Sequence, residues 1–186
     1  MPRLFVALAM PEEVAEALDR LCVDLPDTRW TNLDDFHLTI RFIGEVDHST
    51  FYELGQLLAG VMLPPFELEL AGRGQFPPRG ALRQLWAGIV PNADLERLRR
   101  RIEHCVREAG VAPERRKFQP HVTLARFRQP PPPARLATYL RTRSLFRLPP
   151  FPVSRFGLYS SHLRHDGAEH VLEAEYDFVA GIMERS

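Results

Sequence analysis

Two short stretches, Phe36-His37-Leu38-Thr39-Ile40-Arg41-Phe42 and Pro120-His121-Val122-Thr123-Leu124-Ala125-Arg126-Phe127, repeat one pattern 84 residues apart. Each alternates polar with apolar residues from its histidine, the period of a strand whose faces differ. With seven His and seven Thr in 186 residues, only about a quarter of one His-x-Thr pair is expected by chance. Two copies with matching flanks therefore restrict the fold. It must carry two strands that are apolar on one side and present an imidazole and a hydroxyl on the other. Burying such a polar strip is costly, so the polar sides must open to a cleft or meet a partner.

The rest of the chain supplies the elements for such a fold. Residues 3–10 read as a buried strand, and Pro11 opens a helix with Val14, Ala17, Leu18, Leu21 and Cys22 at helical spacing. Residues 36–43 read as a strand ended by Gly44, followed by a helix capped by Ser49 and running to Leu58. Strands at 66–70 and 85–90 flank a loop rich in Gly and Pro, which suggests a long hairpin. Asn92 caps a helix with Leu95, Leu98, Ile102, Cys105 and Val106 on one stripe, ending at Gly110. A strand at 119–127, a helix at 133–144 and strands at 151–163 and 169–178 complete the chain. Four helices separating hairpin-like strand pairs indicate an α+β fold and not a doubly wound parallel sheet. Strand–helix–strand with His-x-Thr in the second strand occurs near 3–43 and again near 85–127, which points to pseudo-symmetry.

Strand alternation puts His37, Thr39 and Arg41 on one side, with Leu38, Ile40 and Phe42 on the core side. His121 and Thr123 likewise point away from Val122 and Leu124. Strict alternation puts Arg126 on the core side unless a bulge after Leu124 turns it back. Two such strands facing each other across a groove would bring together two imidazoles and two hydroxyls. Histidine titrates near neutrality, so one ring can take a proton from a nucleophile while the other gives one to a leaving oxygen. Threonine hydroxyls can hydrogen-bond phosphate oxygens, and arginine can hold the anion with forked donors. A single His-x-Thr is ordinarily a structural histidine; the repetition is what favours a site.

FHLTIRFIGE and FQPHVTLARF resemble the two HxTx motifs of the 2H phosphoesterase superfamily, most closely its prokaryotic RNA 2′,3′-cyclic phosphodiesterases, once called 2′-5′ RNA ligases. RLFVALAMP, RQLWAGIV and FGLYSSHL resemble that family at corresponding places, so the similarity covers nearly the whole chain. It implies one domain over 1–186, with two pseudo-symmetric lobes of antiparallel sheet, helices outside and a cleft between them. It implies hydrolysis of a 2′,3′-cyclic phosphate, on an RNA end or a cyclic nucleotide, to a 2′-phosphomonoester without metal or cofactor. In that scheme His37 is the proton donor to the departing 3′ oxygen and His121 the base that activates water. Thr39 and Thr123 match phosphate-holding positions, and Arg126 matches the arginine after the second motif. Family members often carry a tyrosine after the last turn, where His170 or Val171 stands here.

Composition limits the remaining readings. No apolar run reaches the roughly 20 residues of a membrane span, and two cysteines, Cys22 and Cys105, are too few for a disulfide framework. A cytoplasmic monomer is the expectation. Residues 1–60 carry 11 acidic and 4 basic side chains and residues 61–186 carry 13 and 20, so the second part suits a phosphate-bearing ligand. Phe76 in the Gly/Pro loop is a candidate for stacking on a base. His162-Leu-Arg-His165 has metal-like spacing on an ill-suited strand–turn segment, and Asp34-Asp35, placed where it could hydrogen-bond a histidine, reads rather as a solvated loop pair. Arg97, Arg99, Arg100 and Arg101 read as a wet helix face. Two rivals keep the motifs but change the outcome: 2′-5′ RNA end joining in the same site, and an RNA-end binding module without chemistry.

Overall fold

The computed structural model describes residues 3–76, 83–143, 145–164 and 167–179. In chain order they form β1 (Arg3–Ala9), α1 (Glu12–Asp19), β2 (Arg29–Trp30), a single 3-10 turn (Leu33–Asp35), β3 (His37–Glu45), α2 (His48–Ala59), β4 (Phe66–Leu68), β5 (Leu70–Phe76) and β6 (Gln84–Ile89). After these come α3 (Ala93–Glu108), β7 (His121–Arg126), α4 (Pro133–Thr142), β8 (Phe151–Val153), β9 (Arg155–Arg164) and β10 (Gly167–Asp177). Among the described residues no helix is long and apolar enough to cross a membrane.

Seven strands form an antiparallel sheet in the order β10-β9-β1-β3-β7-β6-β5, and β2 adds to β7 as the eighth. The order has a two-fold logic. The run β1-α1-β3-α2-β4-β5 matches the run β6-α3-β7-α4-β8-β9, and exchanging the two reverses the order β9-β1-β3-β7-β6-β5 onto itself, with β10 and β2 outside the exchange. The small sheet β4-β8 obeys the same exchange, with Glu67 paired to Pro152 at its centre. Each lobe is completed by the last strand of the other run: β9 pairs with β1, and β5 pairs with β6. The pseudo-symmetry expected from the repeated motif thus extends to all four helices and to every strand except β2 and β10. The lobes β10-β9-β1-β3 and β7-β6-β5 meet where Leu38 pairs with Val122.

One face of the sheet is closed by the helices. Leu4, Val6 and Leu8 of β1, Leu38 and Ile40 of β3, Val122 and Leu124 of β7 and Leu85 of β6 share one buried cluster with all four helices. The α3 stripe Leu95, Leu98, Ile102, Cys105 and Val106 is buried in it as its spacing requires. Burial of this apolar surface is the main stabilising contribution, at roughly 1.5–3 kcal/mol per large side chain. Both cysteines are free, and burial pushes the Cys22 thiol up to about 12, so it behaves as a small apolar group and not a nucleophile.

Matching bulges interrupt both motif strands. Against β1, Ala7 pairs with Thr39 and Val6 with Arg41, leaving Ile40 as the extra residue. Against β6, Trp86 pairs with Thr123 and Leu85 with Ala125, leaving Leu124 extra. Each bulge falls three residues after its histidine and inverts the facing of the strand beyond it. Arg126 is thereby turned out to the cleft side. The same inversion overturns two expectations for the first motif. Arg41, expected on the cleft side, turns inward and is 7% exposed. Phe42, expected in the core, turns outward and is 51% exposed.

Arg41 is satisfied where it lies. Its Nε donates to Glu103 Oε2 of α3 at 2.6 Å, one terminal nitrogen to the Phe42 carbonyl and the other to the Ala112 carbonyl at 2.6 Å. The bonds tie β3 to α3 of the other run from behind the cleft.

Smaller differences have local causes. Asp47 and not Ser49 caps α2, its carboxylate accepting from the Thr50 amide at 2.8 Å. The expected strand at 66–70 divides at Glu69: β4 pairs with β8, and β5 forms the hairpin with β6. The strand expected at 151–163 divides likewise at Ser154.

Replacing Arg41 by Ala leaves Glu103 half-enclosed without its cation and should cost about 3 kcal/mol of unfolding free energy. Arg41→Met combined with Glu103→Met should recover most of it. Denaturant unfolding measures both, and an Arg41→Ala protein of unchanged stability would contradict the assignment.

Candidate active site

The register of Leu38 with Val122 sets His37 across from Thr123 and Thr39 across from His121. The four polar residues form a square on the open face, with the histidines at one pair of diagonal corners and the threonines at the other. Such diagonal positions on neighbouring strands lie about 7–8 Å apart, within reach of one another's side chains. The motifs thus lie side by side in one sheet, not opposed across a gap, and the cleft is the open side of their seam.

Both rings are anchored the same way. His37 Nδ1 lies 2.7 Å from the Asp35 carbonyl, and His121 Nδ1 lies 2.7 Å from the Gln119 carbonyl. A carbonyl only accepts, so each Nδ1 carries a hydrogen and donates it. The neutral ring then holds its lone pair on Nε2, the nitrogen left for chemistry.

Gln84 of β6 organises the second motif. Arg126 can only donate, and its Nη1 reaches Gln84 Oε1 at 3.3 Å. The Gln84 amide nitrogen therefore faces His121 Nε2 at 3.1 Å and Thr123 Oγ1 at 2.6 Å. His121 Nε2 accepts from it, which favours the unprotonated ring. The Trp86 ring lies 6.0 Å from His121. Gly74 makes room for that indole, because a Cβ at Gly74 would fall 2.2 Å from its ring.

The first motif sits among rings. His37 packs against Phe5 at 5.3 Å, and His170 meets it edge-on at 5.3 Å. Burial pushes the His37 pKa down to about 4, against the bond to the Asp35 carbonyl; His170 and Arg126 lower it further. Burial lowers His121 and His170 as well, and Arg126 lowers both. The centre therefore favours neutral imidazoles until an anion arrives.

Of the expected site residues, His37, His121, Thr39, Thr123 and Arg126 share the seam face, while Arg41 does not reach it. The Phe76 side chain, and His165 of the His162/His165 pair, lie outside the described residues. His162 Nε2 lies 2.9 Å from Ser160 Oγ. Asp35 contributes its carbonyl to His37 and is thus more than a solvated loop residue. Among the described residues no three His, Cys, Asp or Glu side chains converge as a metal site. On α3, Arg97 pairs with Asp94 at 3.0 Å and Arg99 covers the Phe118 ring at 5.0 Å, which fits their reading as a helix face. Gln84, Phe5 and Trp86 join the site from strands without a motif. The repeat could have exposed them, since β1 and β6 are equivalent neighbours of the motif strands.

From His37, Thr123 and Arg126 an open groove extends along β2 to Pro130–Pro132, flanked by Glu169 and His170 of β10. Its volume is about 1530 Å³.

Known proteins share both sequence and shape with this chain. The RNA 2′,3′-cyclic phosphodiesterase of Aeropyrum pernix is 41% identical over 96 residues, covering 51% of this chain and 54% of that protein. That of Geobacillus stearothermophilus is 35% identical over 128 residues, covering 66% of this chain and 41% of that protein. The matches thus span about half the length of those two relatives. The crystal structure of E. coli LigT complexed with 3′-AMP superposes with a TM-score of 0.75 at 25% identity, covering 95% of this chain and 98% of that one. A model of the 2′-5′ RNA ligase superfamily matches residues 9–165. With the paired motifs set at the seam between matching lobes, the chain belongs to that superfamily, the 2H phosphoesterases.

Proposed function

We propose that the protein is an RNA 2′,3′-cyclic phosphodiesterase that opens the cyclic phosphate to a 2′-phosphomonoester by two-histidine acid–base catalysis. The observation that carries this reading is the square of two anchored imidazoles and two hydroxyls on adjacent strands. The names of the relatives and the adenosine phosphate on LigT agree with it.

The phosphorus sits over the square. Thr39 and Thr123 hydrogen-bond its non-bridging oxygens, and Arg126 balances their charge. His121 Nε2 takes a proton from water as the water oxygen bonds phosphorus. The bond from phosphorus to O3′ breaks, and O3′ receives the proton of His37 Nε2–H. Water is consumed, the ribose gains a free 3′ hydroxyl, and solvent exchange restores both rings. The bond from Gln84 supports His121 as the base, because an Nε2 that accepts is unprotonated. His37 must be charged to act as the acid. The bound phosphate supplies the negative charge that offsets its burial, so substrate binding itself recruits that proton.

His37→Ala and His121→Ala should each lower turnover of a 2′,3′-cyclic nucleotide by on the order of 10²–10⁴-fold in a protein that still melts cooperatively. EDTA should leave the wild type active. A chelator-sensitive activity, or normal turnover by His37→Ala, would refute the scheme.

The pH profile should carry the lowered pKa values. The limbs of kcat/KM report the free enzyme, so its optimum should fall below the ordinary imidazole value of about 6.5. The kcat profile should move to higher pH, because bound anion favours the charged ring. Gln84→Ala removes a donor to the neutral His121 ring, so the limb belonging to that ring should shift upward. A kcat/KM optimum above neutrality, unmoved by Gln84→Ala, would contradict this.

A further inference from the structure

The pseudo-two-fold allows two extensions from the square, one past Arg126 and one past its counterpart Phe42. They differ in chemistry. Past Phe42 the face is aromatic, with Phe5 between Phe42 at 5.9 Å and Tyr159 at 5.3 Å. Past Arg126 it is cationic, because β2 has no equivalent in the other lobe and sets Arg29 directly opposite Arg126. Like charges at directly opposed positions on neighbouring strands repel, and with Arg126 turned to the phosphate over the square, Arg29 is left to favour a second anion farther along the groove. Among the described residues none of Arg29, Arg126 and Arg128 forms an ion pair with a carboxylate, and Arg126 has only the neutral Gln84 amide.

All three arginines line the groove that leads away from His37 and Thr123. Its volume of about 1530 Å³ exceeds the roughly 300–1,000 Å³ typical of a site for one small molecule. Asp27, Asp35 and Glu169 also line it, from the loop before β2, the turn before β3 and the start of β10. The arginines instead stand together along β2 and the end of β7. A row of cationic side chains, with carboxylates elsewhere in the lining, suits a single RNA strand, whose phosphates the arginines can hold and whose ribose hydroxyls can donate to carboxylates.

We infer that this groove is a second phosphate subsite: Arg29 and Arg128 hold the phosphodiester linking the cyclised nucleotide to its 5′ neighbour. The enzyme then prefers RNA ends to mononucleotides. This rests on the phosphodiesterase reading for what occupies the square, and deepens it.

The test compares kcat/KM for a 2′,3′-cyclic mononucleotide with that for an RNA trinucleotide ending in the cyclic phosphate. The proteins are the wild type and the Arg29→Gln/Arg128→Gln variant, which alters two exposed side chains. The wild type should prefer the trinucleotide. The variant should lose about tenfold on it, the scale of exposed charge-assisted phosphate contacts, and keep its mononucleotide rate. A neutral methylphosphonate at the last internucleotide linkage should reproduce the loss in the wild type and add nothing in the variant. Equal losses on both substrates, or indifference to the methylphosphonate, would overturn the subsite. Binding of the trinucleotide 2′-phosphate should fall by the same factor. Equal binding by both proteins would overturn the subsite even without turnover, whereas intact binding differences with no turnover of either substrate would overturn only the phosphodiesterase reading.

Discussion

The pairing of Leu38 with Val122 holds the centre together. Both side chains are fully buried, and they point into the cluster beneath the helices. Because side chains alternate along a strand, fixing these two on the core side fixes His37, Thr39, His121 and Thr123 on the open side. Because the pair sits at the seam, it also sets one histidine diagonal to the other. A slip of one residue would turn every one of these groups to the wrong face. The apolar core therefore specifies the register that the chemistry uses, and the polar strip remains open because it lies where two lobes meet.

The pseudo-two-fold explains how such a centre is built and where it is asymmetric. Equivalent strands, equivalent bulges and equivalent Nδ1–carbonyl anchors give two nearly interchangeable imidazoles. The differences stand next to them. Where lobe two has Gln84 and Arg126, lobe one has Phe5 and Phe42. A ring that accepts from an amide and a ring enclosed by aromatic side chains cannot titrate alike, and one becomes the better base. The short β2, present on one side only, adds Arg29 and makes the surroundings of the square directional.

Much of this is legible in the sequence, and the exceptions have a common cause. Period-two alternation locates both motif strands and places the two threonines with their histidines. Helical spacing finds the stripe of α3, and the order of the elements gives the α+β class. Alternation fails at Arg41 and Phe42, since a bulge adds a residue without marking the sequence. The same bulge can be anticipated after Leu124 only because Arg126 needs it. Aligning the two motifs residue by residue puts Phe42 and not Arg41 against Arg126, and that signal lies in the sequence. Gln84 is reached only by superposing the two runs as repeats, and His170, on a strand outside them, is harder still. Their roles come from strand neighbours and a long hairpin, which are contacts distant in the chain that local patterns do not carry.

The central claim is that both imidazoles address one phosphorus from the open side of the seam. A crystal structure with a nucleoside 2′-phosphate bound tests it most directly. The account predicts His37 Nε2 and His121 Nε2 each within hydrogen-bond distance of oxygens on, or leaving from, the same phosphorus, with Thr39 and Thr123 on its remaining oxygens. A phosphate seated at only one ring, with the other turned away or out of reach, would contradict it.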